Sequence, residues 1–547
     1  MTTARADVGG PGDSAPAVWF LSPDERGNPA TQIDRRRGGD IAYTDGNDVR
    51  VLIHGAEYFA RLLAVLDGLR PGGWIHFTDW RGDPDERLAG PGTEIAQVLA
   101  RLAADGVMVR GLVWRSHADQ AHFSEQENLH FVDTVNEAGG EVLLDERVRR
   151  DGSHHQKLFV ARHPDAPDDD VAFVGGIDLC HGRRDDRAHD GDPQAINLDS
   201  RYGPRPPWHD IQLEVRGPAV ADLAWTFRER WEDPTPLDHR NPWRAAIRRL
   251  SGEPRRPDPL PPMPPDPSPT GGHAVQVLRT YPAKRPPHRF APDGERSIAR
   301  AYLKAFQRAT RLVYVEDQYL WSGAAAAFLG ERLRVEPRLH LVAVVPRFPD
   351  QDGRISGPPS RIGQQRAIDQ LRRAGGERVT FFDLEAPSGW PIYVHSKVCV
   401  IDDVWMIVGS DNLNLRSWTN DSELSCAFID HQRDGRTPLD PGGHGDGARQ
   451  LARTTRIRLW REHLGREDGD VDDLIDGVGA IEILRRSAAE LDAWRENPGT
   501  RARPTGRLRM HRPEPVGRWA ALWAQPIHRM LVDPDGRPRA LRRASRF

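Results

Sequence analysis

Cysteine is scarce in this sequence. Only three cysteines, Cys180, Cys399 and Cys426, occur among 547 residues, and they are not spaced like metal-binding pairs. An odd and widely spaced set of this kind indicates neither a disulfide framework nor a cysteine-ligated zinc site. We therefore expect all three to be small, buried residues of a globular core.

A surplus of positive charge is also missing. The chain has 76 basic and 80 acidic residues, which gives a formal net charge of −4. Proteins that bind nucleic acid usually carry a clear basic excess on the binding domain. A nucleic-acid partner is therefore not expected.

Long apolar runs are absent as well. No stretch approaches the about 20 apolar residues that a membrane-spanning helix needs. The N-terminus lacks both the basic start and the apolar run of a secretory signal. We expect a cytoplasmic protein that meets a membrane only as a peripheral protein at its surface, and export by a route without such a signal stays open.

The length and the proline distribution indicate more than one domain. A chain of 547 residues exceeds what one hydrophobic core usually holds, and 51 glycines and 46 prolines imply long loops. Proline is densest at residues 254–272, and this density predicts an extended linker. The predicted parts are an N-terminal segment, a first domain, the Pro-rich linker, a second domain and an Arg-rich tail, at residues 1–44, 45–253, 254–272, 273–495 and 496–547.

The tail contains two tryptophans, Trp519 and Trp523. Tryptophans in such a position could contact a lipid surface or a partner protein. We favour the simpler expectation that they dock on the domain.

A similar order of elements appears on both sides of the linker. A strand, an amphipathic helix, a second strand, a further helix and a third strand are predicted in each half. The predicted strands are at 49–55, 74–80 and 106–114 in the first half, and at 274–281, 311–321 and 339–346 in the second. Two α/β units are the simplest interpretation, each with a largely parallel sheet covered on both faces, and packed face to face they would share one cleft.

Each half contains the triplet His-x-Lys at the start of a predicted strand. The first triplet holds His155 and Lys157, and the second holds His395 and Lys397, 240 residues later. Because side chains alternate along a strand, the histidine and the lysine of each triplet lie on the same face. One such triplet is weak evidence, but two at equivalent points of a repeat indicate a shared functional site.

A strand that ends in a glycine turn follows each triplet. The turns contain Gly175 and Gly176 in the first half, and Gly409, Ser410 and Asn412 in the second. Glycine allows a ligand to approach the backbone closely, and serine and asparagine add hydrogen-bond donors for an anion. Together with the histidines and lysines, these groups form a site for an oxyanion that requires no metal ion.

With these motifs the chain resembles the phospholipase D family, and the resemblance extends beyond the HxKxxxxD signature. It covers residues 45–465 and includes the blocks AFVGGIDLCHGRRD, PRPPWHDIQLEVRGPAV, ERSIARAYLKAF, YVEDQYLW and VHSKVCVIDDVWMIVGSDNLNLRS. The resemblance implies an α/β fold of two similar phospholipase D-like α/β/α sandwich domains packed around one shared active site. It also implies a displacement at phosphorus in two steps that needs no cofactor and no metal.

The family implies a role for each motif residue. His155 is the expected nucleophile, and His395 is the expected general acid and then the base that activates water or an alcohol. Lys157 and Lys397 are expected to bind the non-bridging phosphate oxygens.

The resemblance assigns further residues around these four. Ser410 and Asn412 are expected to bind the phosphate beside the lysines. A histidine nucleophile also needs a carboxylate that fixes its tautomer. By similarity, Asp210 is expected to orient the second-motif histidine and Glu423 the first-motif histidine, each across the domain interface.

The chain departs from the family pattern in two places. Asp402 completes the second motif and is grouped with the catalytic residues, but Arg162 stands at the matching position of the first motif. Asp178 stands where some members have asparagine, and because a carboxylate would repel phosphate, we expect it to bind backbone amides instead. Glu316 and Gln318 end a strand near the cleft, where they could pair with a motif lysine or form a structural ion pair.

The motifs define the class of reaction better than the substrate. The resemblance favours hydrolysis of glycerophospholipids to phosphatidic acid through a phosphohistidine intermediate, with transphosphatidylation as a side reaction. A nuclease or other non-lipid phosphodiesterase, a cardiolipin synthase-like phosphatidyltransferase and a catalytically silent binding protein are the alternatives. Since one chain carries both motifs, a monomer suffices for a complete site.

Overall fold

The computed structural model describes most of the chain. The described residues are 15–36, 38, 40–115, 125–195, 198–237, 246, 256–350, 357–467, 469, 471–499 and 501–547. The residues outside this part include the start of the predicted N-terminal segment at 1–14, the end of the predicted first domain at 238–245 and 247–253, and the start of the predicted linker at 254–255.

Strands and helices alternate along both halves. The described strands are β1 (Thr44–Leu52), β2 (Trp74–Asp79), β3 (Met108–Trp114), β4 (Glu141–Asp145), β5 (Leu158–Arg162), β6 (Val171–Gly175), β7 (Trp208–His209), β8 (Gln212–Arg216), β9 (His273–Tyr281), β10 (Glu295–Arg296), β11 (Leu312–Asp317), β12 (His340–Val344), β13 (Val379–Glu385), β14 (Pro391–Val394), β15 (Lys397–Ile401), β16 (Trp405–Gly409), β17 (Glu423–Asp430) and β18 (Leu508–Met510). The described α-helices are α1 (Ala15–Trp19), α2 (Pro23–Arg26), α3 (Gln32–Arg35), α4 (Gly55–Asp67), α5 (Ile95–Ala104), α6 (Glu125–Glu137), α7 (Ala219–Trp231), α8 (Ser297–Arg308), α9 (Gly323–Val335), α10 (Gly357–Gly375), α11 (Leu415–Thr419), α12 (Gln450–His463), α13 (Ile481–Glu496), α14 (Arg518–Ile527) and α15 (Arg539–Arg543).

The two halves contain sheets of the same topology. The first sheet has the order β1-β8-β6-β5-β2-β3-β4, and the second has the equivalent order β9-β17-β16-β15-β11-β12-β13. The predicted repeat and its six strands are thus confirmed. The prediction of largely parallel sheets is wrong, because only the last three strands of each order run parallel. The motif strands β5 and β15 instead form antiparallel hairpins with β6 and β16.

Helices cover the sheets in layers. The outer face of the first sheet packs against α4, α5 and α6, and the outer face of the second packs against α8, α9 and α10. The inner faces of both sheets share one hydrophobic core with α7 and α12. The two sandwiches are therefore joined through a common interior, and all three cysteines are buried, as predicted.

Two short backbone contacts between the halves determine where the active-site residues meet. Strand β7 of the first half pairs in parallel with β14 of the second, so that Val394 lies beside His209. In the equivalent place, His154 forms a bridge with Ser422. Each contact therefore carries a motif histidine of one half to the acidic residue of the other.

The ends of the chain add to the second half. Trp19 and Phe20 of the N-terminal segment are buried in the hydrophobic core around α8. In the tail, β18 pairs with β13, and α14 continues into a π-helix at His528–Val532. The prediction that the tail tryptophans dock on the domain is wrong for Trp519, which is 85% exposed. Within the described part of the chain, no helix combines the length and apolar character needed to cross a membrane.

Asp402 anchors the end of β15. Its carboxylate accepts hydrogen bonds from the backbone amides of Thr310, Arg311 and Leu312 and from the Thr310 hydroxyl, at 2.8–3.1 Å. Six residues, five of them in β15, separate it from His395, which corresponds to about 20 Å of extended chain. The grouping of Asp402 with the catalytic residues is therefore corrected to a structural role.

Arg162 replaces this anchor in the first half. Its guanidinium forms an ion pair with Asp170 at 2.7 Å and donates to the carbonyl of Pro265 in the predicted linker. Both halves thus secure this strand end, but they do so with opposite charges.

We predict that Asp402→Asn lowers the thermal unfolding midpoint clearly. An amide nitrogen would face backbone N–H groups that have no other acceptor, which costs about 2 kcal/mol or more. Circular dichroism melting curves measure the effect. Asp67→Asn is the control, because the Asp67 side chain is 59% exposed in a surface ion pair and its change should be neutral. Equal melting temperatures for both variants would contradict the structural role.

Candidate active site

The two motif histidines each form a hydrogen bond with a carboxylate of the opposite half. The Nδ1 atom of His155 lies 2.9 Å from Oε2 of Glu423, and Nδ1 of His395 lies 2.7 Å from Oδ2 of Asp210. The structure thus brings together the pairs expected from the sequence. An ionised carboxylate at Nδ1 holds the proton there, so that Nε2 keeps a free lone pair.

Both imidazoles are suited to act through Nε2. Neither Nε2 atom has a hydrogen-bond partner among the described residues. Burial and the neighbouring Lys157 hold the pKa of His155 well below its usual range. Burial and Lys397 lower the pKa of His395 to about 3. The His155 side chain is 17% exposed and that of His395 is 6% exposed, so His155 is the more accessible of the two imidazoles.

The two partner carboxylates differ in their electrostatic environment. Burial would raise the pKa of Asp210, but His395 and Lys397 lower it to about 2. Burial raises the pKa of Glu423 to about 7, although the Ser410 hydroxyl opposes the shift. The two halves are therefore geometrically equivalent but titrate differently.

Each motif lysine is held by its own repeat. Lys157 forms an ion pair with Asp178 at 3.0 Å, and Lys397 donates to Gln318 at 3.0 Å. The expectation that Asp178 binds backbone amides is corrected, since its carboxylate neutralises the lysine. The suggested pairing with a motif lysine is confirmed for Gln318, whereas Glu316 forms buried pairs with His209 and His463 at 2.7 and 2.8 Å.

Ser410 and Asn412, both in the glycine turn of the second half, have different roles. Ser410 donates its hydroxyl proton to Glu423 at 2.6 Å and accepts from the amide of Leu424. The expectation that Ser410 binds phosphate is therefore corrected, because this hydroxyl has no proton left to donate. Asn412 stands at the position equivalent to Asp178 in the repeat and stays a predicted phosphate donor.

Two aspartates that the sequence analysis did not assign hold the turns in place. Asp79 ends β2 and accepts from the amide of Leu179 at 3.0 Å. Asp317 ends β11 and accepts from the amide of Leu413 at 2.8 Å. Both turns are thereby fixed against the parallel strands. Their matching places in the repeat were the signal that could have identified them.

Aromatic and cationic groups form the walls of the site. The indole of Trp208 donates to Asp210 at 3.1 Å, and its ring lies 4.9 Å from the imidazole of His395. The guanidinium of Arg183 stacks on the same indole at 4.0 Å. On the other side, the edge of Trp80 approaches His155. Arg183 therefore adds a third positive charge near the two lysines.

A buried group of histidines and one carboxylate lies next to Asp210. Nε2 of His54 and Nε2 of His189 lie 3.0 and 3.1 Å from Oε1 of Glu462, and Nδ1 of His209 lies 3.6 Å from it. All four donor atoms are within 4.8 Å of one another. Nitrogen and oxygen donors in this arrangement suit a divalent cation. The expectation of a metal-free reaction came from the family resemblance and from the lack of metal-ligand spacing, and it stays a prediction.

Comparison with known proteins identifies the family to which the chain belongs. The family model described as Phospholipase D matches residues 73–241 and 385–498, more than half of the chain. Phospholipase D alpha 1 of Cynara cardunculus is 28% identical over 72% of this chain, and phospholipase D alpha 2 of Oryza sativa subsp. japonica is 27% identical over 72%. The chain spans 62% and 61% of the length of these two relatives.

Among solved structures, a phosphatidylserine synthase of Haemophilus influenzae Rd KW20 matches with a TM-score of 0.47 and 13% identity. The match covers 70% of this chain and 82% of the synthase. On the family model, which matches both halves and includes His155 and His395, the chain belongs to the phospholipase D family.

Proposed function

We propose that the protein hydrolyses glycerophospholipids to phosphatidic acid through a covalent phosphohistidine, and that alcohols compete with water for this intermediate. The observation that carries the proposal is the pair of neutral imidazoles, each oriented by a carboxylate across one cleft. The lipid substrate is supported by the names of the curated relatives, which are phospholipases D.

In the first step, Nε2 of His155 attacks phosphorus, and the bond from phosphorus to the headgroup oxygen breaks. His395 gives its Nε2 proton to that oxygen. In the free protein His395 is neutral, because burial and Lys397 disfavour its charged form. A bound phosphodiester brings a negative charge that opposes this field, so the acid forms with the substrate in place.

In the second step, the now neutral His395 removes a proton from water or an alcohol. The oxygen so activated attacks phosphorus, the bond from phosphorus to His155 breaks, and the product leaves. Lys157, Lys397 and Arg183 stabilise the charge on the non-bridging oxygens in both steps. Glu423 and Asp210 stabilise the imidazolium of their own partner histidine when it forms.

Incubation with phosphatidylcholine in mixed micelles and ethanol tests the proposal. We expect phosphatidic acid and phosphatidylethanol from the unaltered protein, because an alcohol can capture only an activated phosphatidyl group. We expect neither product from His155→Ala. The products are measured by mass spectrometry of the lipid extract.

A second variant separates the roles of the two histidines. His395→Ala should still accept a phosphodiester with a p-nitrophenol leaving group, which departs without an acid, and should accumulate phosphohistidine. The lipid proposal would be replaced by a nuclease activity if the protein released no product from phosphatidylcholine or phosphatidylethanolamine but cleaved single-stranded DNA.

Gly176 provides the space that Asp210 occupies. A Cβ atom at Gly176 would lie 2.4 Å from Oδ1 of Asp210, closer than any contact allows. We predict that Gly176→Ala displaces this carboxylate from His395 and lowers kcat by at least about tenfold. Gly435→Ala is the matched control, because a Cβ there meets no atom within 4 Å. An unchanged kcat in Gly176→Ala would show that Asp210 does not need its observed position.

The titration of Glu423 predicts a pH dependence. Below about pH 7 the Glu423 carboxyl is protonated, because burial has raised its pKa. A protonated carboxyl donates to Nδ1 of His155 and moves the ring proton to Nε2, which removes the nucleophilic lone pair. We therefore expect kcat/KM to fall as the pH drops through 7, measured with a soluble phosphodiester from pH 5 to 9. A profile flat down to pH 5 would exclude this role.

A further inference from the structure

Helix α14 presents its large apolar side chains to solvent, whereas a helix that only packs on its own protein would bury them. Trp519, Leu522 and Trp523 are 85%, 69% and 39% exposed, at the i, i+3 and i+4 spacing of one helical face. The buried position on the opposite face is Ala524. The helix thus packs through a small side chain and presents its largest ones to solvent.

The following π-helix extends this patch. Met530 and Leu531 are each 61% exposed. Residues 519–531 therefore contain five of the ten large hydrophobic residues that are exposed in the described part of the chain. The other five lie singly or far apart in the sequence, which is ordinary for a soluble protein. We call Trp519, Leu522, Trp523, Met530 and Leu531 the tail patch.

The patch lies within a strongly basic region. Residues 496–547 contain 12 arginines and four acidic residues, although the whole chain has a net charge of −4. Arg518 and Arg529, which flank the helix, are exposed and form no ion pair with a described carboxylate. Apolar residues bordered by arginines are complementary to an anionic lipid surface. The apolar side chains can insert among the acyl chains, and the arginines can bind the lipid phosphates.

The patch also lies beside the active site. Arg416, four residues after Asn412, donates to the carbonyls of Val532 and of Asp151 at 3.0 and 3.1 Å. Asp151 in turn precedes His155 by four residues. Arg416 therefore connects the tail to the segment that precedes His155.

A third segment of the chain also contacts the tail. The ring of Trp321 meets His528 of the π-helix edge-on at 6.2 Å, and Trp321 follows the lysine-binding Gln318 by three residues. All three contacts come from segments that adjoin catalytic groups. The residues that flank the tail patch are therefore packed on segments that adjoin the active site.

From exposure, charge and position together we infer that the tail patch is a membrane-docking element, which inserts into the interface of an anionic phospholipid bilayer and holds the cleft against it. This inference rests on the proposed function, since a lipid substrate has to leave the bilayer at the cleft. A second copy of the chain is the less suitable occupant, because the arginines that border the two patches would repel each other.

Vesicle binding tests the inference in a His155→Ala background, where lipid is not consumed. We expect tighter binding to vesicles of equal parts phosphatidylcholine and phosphatidylglycerol than to phosphatidylcholine alone, and weaker binding at high salt. Leu522→Ser combined with Leu531→Ser should weaken binding to the mixed vesicles by about tenfold or more, because two anchors lose their apolar area. Flotation gives the bound fraction.

The matched control is Val335→Ser combined with Leu439→Ser. These residues are 64% and 59% exposed, close to the 69% and 61% of the tested pair, but lie outside the tail patch. We expect the control to bind like the parent protein. Equal loss in both double variants, or no loss in either, would overturn the inference. The inference would also be overturned if the parent protein were a dimer and the Leu522 and Leu531 changes dissociated it without affecting vesicle binding.

Turnover of a short-chain, monomeric phosphatidylcholine separates this inference from the proposed function. With His155 restored, the Leu522 and Leu531 variant should cleave the monomeric lipid at the normal rate and the mixed vesicles about tenfold more slowly. Absence of cleavage in every form would refute the proposed function, whereas the binding result would still decide whether the patch docks on lipid.

Discussion

The hydrogen bond between a motif histidine and a carboxylate of the other half is the interaction on which the rest of the structure depends. It forms twice, between His155 and Glu423 and between His395 and Asp210. Each bond requires the two sheets to be in register to within a fraction of an ångström, since imidazole and carboxylate must meet at 2.7–2.9 Å. The shared hydrophobic core, the pairing of β7 with β14 and the bridge at Ser422 provide that register.

Symmetry of the backbone does not extend to the side chains at the phosphate. Gly176 leaves space for one carboxylate, whereas Ser410 at the equivalent place donates to the other. Asp178 neutralises one lysine, whereas the other lysine donates to the uncharged Gln318. A reaction in which one histidine attacks while the other transfers a proton needs such inequality, because identical environments would tune both imidazoles to the same task.

The repeat and the four motif residues could be predicted because each leaves a local sequence signal, whereas the two partner carboxylates were identified through the resemblance to the family. The antiparallel hairpins at β5 and β15 were not predicted, since alternation of strands and helices does not reveal the direction of strand pairing. The role of Ser410 depends on where one hydroxyl proton points, and the ligand-like group of His54, His189, His209 and Glu462 depends on segments far apart in the chain. Neither is encoded in spacing.

The burial of the N-terminal segment in the second half has a consequence for the order of folding. Trp19 and Phe20 pack around α8, and Arg26 donates to the backbone of β9 while pairing with Glu295. These partners are synthesised about 250 residues later, so Trp19, Phe20 and Arg26 have to wait, without their own core, until the second sheet exists. The burial of this stretch is therefore one of the last steps of assembly, and a nascent protein that stops before β9 leaves Trp19 and Phe20 exposed.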